Sequence, residues 1–386
     1  MSIRTLRRAP ALLTVLATFA VLAATSAAPA ADTESVSDII ARVRVQEAST
    51  PVRDRPRWRA PHKVVLLAFG GPAWSGRQEQ FASAAAGAHV VVAGNLESAE
   101  SAVTDADVIV GFNPEICDTR IIDRAKELRW IESLAAGVEN CMAVPAVRRR
   151  NLLLTNMRGV DGAVIAEHAI ALALALAHGL DVFAADTAQG TWSREHAGRT
   201  AIEALEGKTM LVVGLGGIGT EVALRAHALG MKVVATRDGD RTRPDFVSYV
   251  GLSDELPTLA KSADIIVSAV PLTPATTGMY DAKFFALVKP SAYFINVARG
   301  KSVVTAALTS ALTERRLAGA GLDVVDPEPL PPDDPLWHAP RVIITPHISA
   351  RSDLPGEARW ILARENLRRY AAGERMLSVV DLSRGY

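Results

Sequence analysis

The chain has 386 residues, of which 49% are hydrophobic and 22% are charged, a length and composition that allow two globular domains. Lysine and arginine together number 42, and so do aspartate and glutamate. This balance leaves no net positive field to attract nucleic acid, and we expect no nucleic-acid partner.

The first 30 residues have the layout of a secretory signal. Three arginines precede a mostly apolar run over residues 9–24, and Ala28-Pro29-Ala30 supplies a small-residue cleavage site. We therefore predict a signal peptide over 1–30 and a periplasmic or secreted protein. An uncleaved leader would instead serve as a membrane anchor, and a leader without function would leave the protein in the cytoplasm.

The sequence contains two cysteines, Cys117 and Cys141. In an exported protein they could form one disulfide. Both lie in segments with a regular pattern, however, and we favour two separate buried thiols. Neither cysteine has the spacing of a metal ligand, so we predict no metal site.

Residues 31–61 are polar, rich in arginine and proline, and without a hydrophobic period, which predicts a linker or a surface-wrapping arm. Short apolar runs then alternate with helical patterns over 62–160 and again over 161–346. This alternation predicts an α/β fold with a parallel sheet in each part. The predicted strands are 63–68, 89–93, 107–111, 129–133 and 152–155 in the first part, and 209–213, 232–236, 246–250, 264–270, 292–297, 319–325 and 342–345 in the second.

An alanine- and leucine-rich run predicts a long buried helix over 162–180 between the two parts. An amphipathic helix over 355–372 and a short strand near 378–381 are expected to return residues 347–386 to the first domain. The predicted fold is thus a Rossmann-type doubly wound cofactor domain inserted into a flavodoxin-like α/β substrate domain, with a cleft between them.

A glycine-rich run, Gly214-Leu215-Gly216-Gly217-Ile218-Gly219, follows an apolar strand and opens a helical pattern. Gly214 permits a tight turn, Gly216 lets the backbone approach a pyrophosphate, and Gly219 lets helix and strand pack closely. Free N–H groups at the helix N-terminus would hold the phosphates. The run therefore predicts a dinucleotide site.

The residue after the next strand discriminates between the two nicotinamide cofactors. An acidic residue there accepts a hydrogen bond from the ribose 2′-hydroxyl of NAD, whereas this chain has Arg237. A guanidinium would pair with a 2′-phosphate, so NADP is favoured over NAD. Two alternatives stay open: Arg237 is solvated, or Asp238 contacts the ribose of NAD.

Three residues with complementary chemistry follow predicted strands: Arg299, Glu328 and His347. Residues at the ends of parallel strands can converge from distant parts of a sequence. Reduction of a 2-keto acid needs a hydride on the carbonyl carbon and a proton for the oxygen, which a histidine can donate near neutral pH. A carboxylate would orient that histidine, and an arginine would bind the substrate carboxylate and polarise the keto oxygen.

Taken singly, His347 is compatible with a capped loop residue and Arg299 with a structural ion pair. The residues that join them in a longer pattern are Pro271-Leu272-Thr273-Pro274-Ala275-Thr276, Asn296-Val297-Ala298-Arg299-Gly300, Gly321-Leu322-Asp323-Val324, Glu328-Pro329-Leu330-Pro331 and Pro346-His347. With the glycine-rich run, in this order and spacing, residues 62–386 resemble the D-isomer-specific 2-hydroxyacid dehydrogenase family.

The resemblance implies roles for individual residues. His347 would be the general acid/base, Glu328 its carboxylate partner, and Arg299 the anchor of the substrate. Asp323 and the carbonyl of Val297 would contact the nicotinamide carboxamide. The resemblance implies two further features: Pro271 would line the nucleotide groove, and the backbone N–H groups of Ala136 and Gly137 would hold the substrate carboxylate.

The resemblance also implies a homodimer formed through the cofactor domains. We expect an NAD(P)-dependent enzyme that reversibly reduces small 2-keto acids such as glyoxylate or hydroxypyruvate to D-2-hydroxy acids. A formate-dehydrogenase-like activity is disfavoured, because that branch carries glutamine where Glu328 stands. The alternative is a non-catalytic NAD(P)-binding regulatory protein on the same scaffold.

Overall fold

Two parallel β-sheets form the framework of the computed structural model, which describes residues 34–69, 74, 76–112, 115–195, 202–353 and 356–386. The predicted signal peptide lies outside the described residues. Residues Val36–Tyr386 form one compact unit that contains both sheets.

The strands of the first sheet are β1 (Lys63–Leu67), β2 (His89–Ala93), β3 (Val108–Gly111), β4 (Trp130–Ser133) and β5 (Leu153–Thr155). They pair in parallel in the order β2-β1-β3-β4-β5. This is the flavodoxin-like order, as predicted.

The strands of the second sheet are β6 (Thr209–Val213), β7 (Lys232–Thr236), β8 (Tyr249–Gly251), β9 (Ile265–Ser268), β10 (Tyr293–Asn296), β11 (Gly319–Leu322) and β12 (Val342–Ile344). They also pair in parallel, in the order β12-β11-β10-β9-β6-β7-β8. The order reverses between β6 and β9, which is the switch point of a Rossmann-type sheet and confirms the predicted fold class.

The α-helices are α1 (Val36–Arg42), α2 (Arg77–Ala84), α3 (Leu96–Ala102), α4 (Thr119–Arg124), α5 (Glu139–Ala143), α6 (Pro145–Arg149), α7 (Gly162–Ala177), α8 (Leu180–Ala188), α9 (Gly217–Ala228), α10 (Leu256–Ala260), α11 (Ala282–Leu287), α12 (Thr305–Thr313) and α13 (Glu357–Ala372). The first lobe comprises the first sheet with α1–α6 and α13. The second lobe comprises the second sheet with α7–α12.

Helices cover both faces of each sheet, which explains why the strands are continuous apolar runs. In β1, Val64 and Leu66 share a core cluster with residues of α13, whereas Val65 and Leu67 share one with residues of α4. The same alternation in β6 puts Val212 against α7 and α9, and its neighbours against α11 and α12. Burial of both faces is typical of parallel sheets.

The predicted long helix over 162–180 is shorter than expected. It ends at Ala177, and Gly179, with a left-handed φ of +65°, separates it from α8. The two helices are bent by 74° relative to each other. Among the described residues no single helix is long and apolar enough to span a membrane, although this bent pair meets the length and composition criteria together.

Two predicted strands are wrong: one begins later than predicted, and the other segment is not a strand. The strand predicted at 246–250 is found at Tyr249–Gly251, because Val247 closes a turn by donating its N–H to the Pro244 oxygen at 3.0 Å. No strand is found over 378–381, where Val379 makes an isolated antiparallel bridge to Thr155. That bridge joins the end of the sequence to the first lobe.

The described part of the predicted linker or arm packs on the first lobe. Ile39 of α1 is buried in the same cluster as residues of α13. Glu47 forms an antiparallel bridge with Leu377, and Ala48 donates its N–H to the Met376 oxygen at 2.8 Å. Residues 36–61 therefore wrap the lobe.

The two cysteines are paired, contrary to the expectation of separate thiols. Cys117 ends a short 3-10 helix after β3, Cys141 lies in α5, and a disulfide joins them with their Cα atoms 4.7 Å apart. Both are buried in one core cluster. The sequence places them 24 residues apart, and only the packing of α5 against the 3-10 helix after β3 brings them together.

Candidate active site

The turn between β6 and α9 is built from the glycine-rich run. Gly214 has a left-handed φ of +96°, and a methyl group on it would lie 2.8 Å from the Ala269 oxygen. A methyl group on Gly219 would overlap the carbonyl of Gly214. The turn therefore needs glycine at both positions, and it lies beside the end of β9.

The space above this turn fits a pyrophosphate. Gly216 caps α9 without a side-chain hydrogen bond, is exposed, and would meet no atom within 4 Å if it carried a methyl group. Gly217 packs against Gly159, and Ile218 packs against the core under α9. Gly216 thus leaves open space at the N-terminus of α9, and the first N–H groups of a helix are the groups that bind phosphate.

The loop after β9 forms the next wall of this region. Pro271 is half-buried there, and its carbonyl accepts a hydrogen bond of 2.6 Å from the Thr276 hydroxyl. Val297, directly after β10, is buried. Pro271 follows β9, the neighbour of β6, and Val297 follows β10, the next strand along, at the carboxyl edge of the sheet where the glycine turn lies.

Arg237 and Asp238 follow β7 and have different partners. Arg237 donates from Nη1 to the Thr242 oxygen at 3.0 Å and lies 3.4 Å from an oxygen of Asp240. Asp238 accepts hydrogen bonds from Arg384 and Tyr386, which come from the last residues of the sequence. No pattern in the sequence indicated this contact with the first lobe.

Arg299, Glu328 and His347 follow the adjacent strands β10, β11 and β12. His347 Nδ1 lies 2.9 Å from Oε2 of Glu328. The other carboxylate oxygen of Glu328 accepts from the N–H of Val325 at 3.1 Å. A methyl group on Gly300 would overlap the Val325 carbonyl, so the loop that carries Arg299 packs directly on the loop that leads to Glu328.

A buried carboxylate holds the His347 loop in place. Asp323 accepts hydrogen bonds from the Thr345 hydroxyl at 2.7 Å and from the N–H groups of Ile348 and Ser349 at 2.9 and 3.0 Å. Its own carbonyl accepts from the N–H of His347 at 2.9 Å. Burial alone would raise the pKa of Asp323, but hydrogen bonds from Ser349, Thr345 and Ile348 outweigh it and hold the pKa below its usual range.

This hydrogen bonding supports an unusual backbone at His347, whose φ is +53°. A left-handed conformation is costly for a residue with a Cβ and persists where surrounding contacts impose it. His168 of α7 extends the network, with Nε2 at 2.8 Å from the Thr345 hydroxyl. Because that hydroxyl donates to Asp323, it accepts from His168.

The loop after β4, in the first lobe, contacts Arg299 of the second lobe. A methyl group on Gly137 would overlap Nη2 of Arg299, and the Ala136 carbonyl accepts from the Asn156 side chain at 2.6 Å. Arg299 donates from Nε to Oε1 of Glu139 at 2.9 Å. Glu139 was missed in the sequence, although an acidic residue two positions after Gly137 was a signal that could have identified it.

A model of the NAD binding domain of the D-isomer specific 2-hydroxyacid dehydrogenases matches residues 170–349. The glyoxylate reductase of Pyrococcus furiosus is 34% identical over 279 residues, which cover 70% of this chain and 81% of that protein. This chain belongs to the D-isomer specific 2-hydroxyacid dehydrogenase family. It is thus an NAD(P)-dependent oxidoreductase by family, and the glycine turn on α9 is where its residues fit the cofactor.

Two further comparisons agree with this assignment. The D-3-phosphoglycerate dehydrogenase of Methanocaldococcus jannaschii is 34% identical over 283 residues, 72% of this dehydrogenase, which spans about half (52%) of that relative. The structure of an NADPH-dependent glyoxylate/hydroxypyruvate reductase from Sinorhizobium meliloti, in complex with NADP and sulfate, aligns with a TM-score of 0.70. That alignment has 25% identity and covers 84% of this chain and 99% of the other.

Proposed function

We propose that this dehydrogenase uses NADPH to reduce small 2-keto acids, of the size of glyoxylate or hydroxypyruvate, reversibly to D-2-hydroxy acids. The observation that carries the proposal is the contact of His347 with Glu328, 2.9 Å apart, on the strand ends next to Arg299. A proton donor and an anion-binding group thereby share one edge of the sheet with the glycine turn. The names of the relatives from Pyrococcus furiosus and Sinorhizobium meliloti support the choice of keto acid.

His347 acts as the general acid in the reduction. Its Nδ1 faces the carboxylate of Glu328, which leaves Nε2 to give a proton to the substrate oxygen. Glu328 fixes the ring and stabilises the imidazolium form, as an orienting carboxylate does in other acid–base pairs. In the reverse direction the same nitrogen takes the proton from the hydroxyl group.

Arg299 anchors the substrate. Its guanidinium can form two parallel hydrogen bonds with a carboxylate and can polarise the keto oxygen. Ala136 and Gly137 supply backbone groups on the opposite side, where Gly137 touches Nη2 of Arg299. The substrate is therefore held between the two lobes.

The cofactor-binding residues are Gly214, Gly216, Gly217, Ile218, Gly219, Arg237, Pro271, Val297 and Asp323. When bound, NADPH supplies the hydride that adds to the carbonyl carbon. The first N–H groups of α9 hold the pyrophosphate, and Arg237 pairs with the 2′-phosphate. Asp323 is proposed to contact the nicotinamide carboxamide on the family resemblance, and hydrogen bonds from Thr345, Ile348 and Ser349 hold its carboxylate in place.

The test is oxidation of NADPH with glyoxylate or hydroxypyruvate, followed by the loss of NADPH absorbance in neutral buffer. Replacing His347 with Ala should abolish turnover and leave NADPH binding, measured by calorimetry, unchanged. Turnover retained in the variant would refute the role of His347. Cofactor binding by the wild type without turnover of any keto acid would favour the non-catalytic regulatory alternative.

We also place the protein in an oxidising compartment, the periplasm or the extracellular space. Support comes from the layout of residues 1–30 and from the buried Cys117–Cys141 disulfide. Cell fractionation with N-terminal sequencing tests this. A mature protein that starts near Ala31 in the periplasm is expected, and an intact leader in the cytosol would contradict it.

The expected assembly is a homodimer formed through the second lobe. Large apolar side chains are exposed on and after α8: Leu180 is 55% exposed, Trp192 93% and Ile202 52%. Exposed apolar side chains of this size favour burial against another surface. Light scattering should give twice the monomer mass, and replacing Trp192 with Ser should shift the protein toward monomer.

A further inference from the structure

The segment 381–386 reaches from the first lobe to the loop that follows β7. Val380, just before it, is buried and donates its N–H to the Leu154 oxygen of β5 at 2.9 Å. Asp381 then turns the backbone of the segment, because its Oδ1 accepts hydrogen bonds from both the N–H and the hydroxyl of Ser383, at 2.8 and 2.6 Å. The segment is thus anchored on one lobe and directed at the other.

Two side chains of this segment engage Asp238. Its Oδ2 accepts from Nη2 of Arg384 at 2.6 Å and from the hydroxyl of Tyr386 at 2.5 Å. The same Nη2 lies 2.5 Å from the Tyr386 hydroxyl, and the guanidinium carbon lies 4.9 Å from the centre of the Tyr386 ring. Asp238 is the alternative acceptor for the ribose 2′-hydroxyl of NAD, one residue after the position that Arg237 occupies.

Positive charge accumulates at the same place. Burial lowers the pKa of Arg158; Tyr386 opposes this effect, and the charges of Arg237 and Arg384 add to it. Arg384 therefore brings its guanidinium to Asp238, the residue that directly follows Arg237 after β7. A dianionic phosphate is the ligand chemistry that guanidinium groups fit.

We propose that Arg384 is a specificity-determining residue for the cofactor. Together with Arg237 it binds the 2′-phosphate of NADP, and it also forms an ion pair with Asp238. This inference rests on the proposed use of NADP. An unpaired Asp238 would repel the 2′-phosphate of NADP and would accept a hydrogen bond from the 2′-hydroxyl of NAD. Its pairing with Arg384 and Tyr386 neutralises that charge, so the first lobe takes part in the choice of cofactor.

The test is calorimetric titration of the full chain with adenosine 2′,5′-bisphosphate and with 5′-AMP, which differ by the 2′-phosphate. Arg384→Ala should weaken binding of the bisphosphate at least about tenfold and change binding of 5′-AMP by less than about twofold. Arg375→Ala is the matched control, because Arg375 is an exposed arginine of the same region whose contact is with Glu47, and it should change neither affinity.

A second variant keeps the test informative if Arg384→Ala is unstable. Asp238→Asn removes the repelling charge and should bind the bisphosphate at least as tightly as the wild type; weaker binding would overturn the proposal. Unchanged binding in Arg384→Ala, or tighter binding of both nucleotides, would also overturn it.

Different results would refute the proposed use of NADP and the proposed role of Arg384. If the wild type binds the bisphosphate no better than 5′-AMP, and Arg237→Ala has no effect, the proposed use of NADP fails and the role of Arg384 fails with it. If the wild type prefers the bisphosphate and Arg237→Ala removes that preference while Arg384→Ala does not, only the role of Arg384 is refuted.

Discussion

Arg299 donates from Nε to Oε1 of Glu139 at 2.9 Å, and this ion pair joins the second lobe to the first. The side chains are 32% and 29% exposed, so the pair is partly shielded from water. Nη1 of Arg299 also donates to the Ala298 oxygen at 2.7 Å. The guanidinium that should receive the substrate carboxylate therefore already has a carboxylate partner.

Glu139→Gln should lower the KM for glyoxylate. Glutamine can still accept the hydrogen bond from Nε, so Arg299 keeps its position, but the amide competes less with the substrate carboxylate than a charged group does. We expect the KM to fall roughly three- to tenfold with kcat little changed, since charge-assisted hydrogen bonds are about twice as strong as neutral ones. Steady-state kinetics check this, with the exposed Glu97→Gln as control; a higher KM would mean that the charge of Glu139 is needed to position Arg299.

Glu328→Gln should reduce kcat with little effect on cofactor affinity. The amide can still contact Nδ1 of His347, but it no longer stabilises the imidazolium form. General acid–base catalysis contributes about 10²- to 10⁴-fold, and we expect a loss of at least about 10²-fold in kcat. Stopped-flow reduction with NADPH measures the chemical step, and a rate within about twofold of the wild type would exclude Glu328 from proton transfer.

Glu132, in β4, makes stability depend on pH. It is fully buried, its Oε2 accepts from the Thr155 hydroxyl at 2.5 Å and from Asn366 at 3.0 Å, and burial raises its pKa to about 8. Because the folded state binds the proton more tightly than the unfolded chain, stability falls as pH rises from about 4.5 to about 8 and is constant above that range.

Glu132→Gln should remove this dependence. The neutral amide resembles the protonated carboxyl, so the variant should be near the wild type in stability at pH 5 and more stable at pH 8.5. The difference is at most ~5 kcal/mol, from 1.36 kcal/mol per pKa unit. Urea unfolding at several pH values measures it. Parallel curves for the wild type and the variant would show that Glu132 does not titrate in this range.

The Cys117–Cys141 disulfide should stabilise the fold and the loop beside Arg299. It closes a chain segment of 24 residues, for which the loss of chain entropy in the unfolded state gives ~3 kcal/mol. Replacing both cysteines with alanine should lower the free energy of unfolding by about this amount. A reductant should lower the melting temperature of the wild type and leave that of the double variant unchanged; an equal response of both proteins would indicate that the bond is absent in solution.

Much of the fold could be predicted because parallel sheets covered on both faces give continuous apolar runs. The strands β2, β6 and β7 have the predicted bounds, and the glycine-rich run marks its turn and helix. Two boundaries were wrong where the local pattern was ambiguous. The helix predicted to end at 180 ends at Ala177, before the backbone turns at Gly179, and Val247 is apolar but lies in a turn.

Residues of the candidate site could also be predicted from the sequence, but the side chains that contact them could not. Glu139 contacts Arg299, His168 contacts Thr345 and Arg384 contacts Asp238, and in each pair the partners are far apart in the sequence. A carboxylate or an arginine in a polar segment gives no periodic signal, because its contact depends on how the two lobes pack.

The sequence by itself determined the two α/β parts, the dinucleotide turn and the chemical identities of Arg299, Glu328 and His347, because these depend on hydrophobic periodicity, on backbone freedom and on residue types in a fixed order. Only the tertiary structure decided the Cys117–Cys141 pairing, the contact of Arg299 with Glu139 and the engagement of Asp238 by Arg384. Each of these depends on the distance between side chains from separate elements, and that distance is set when the lobes pack.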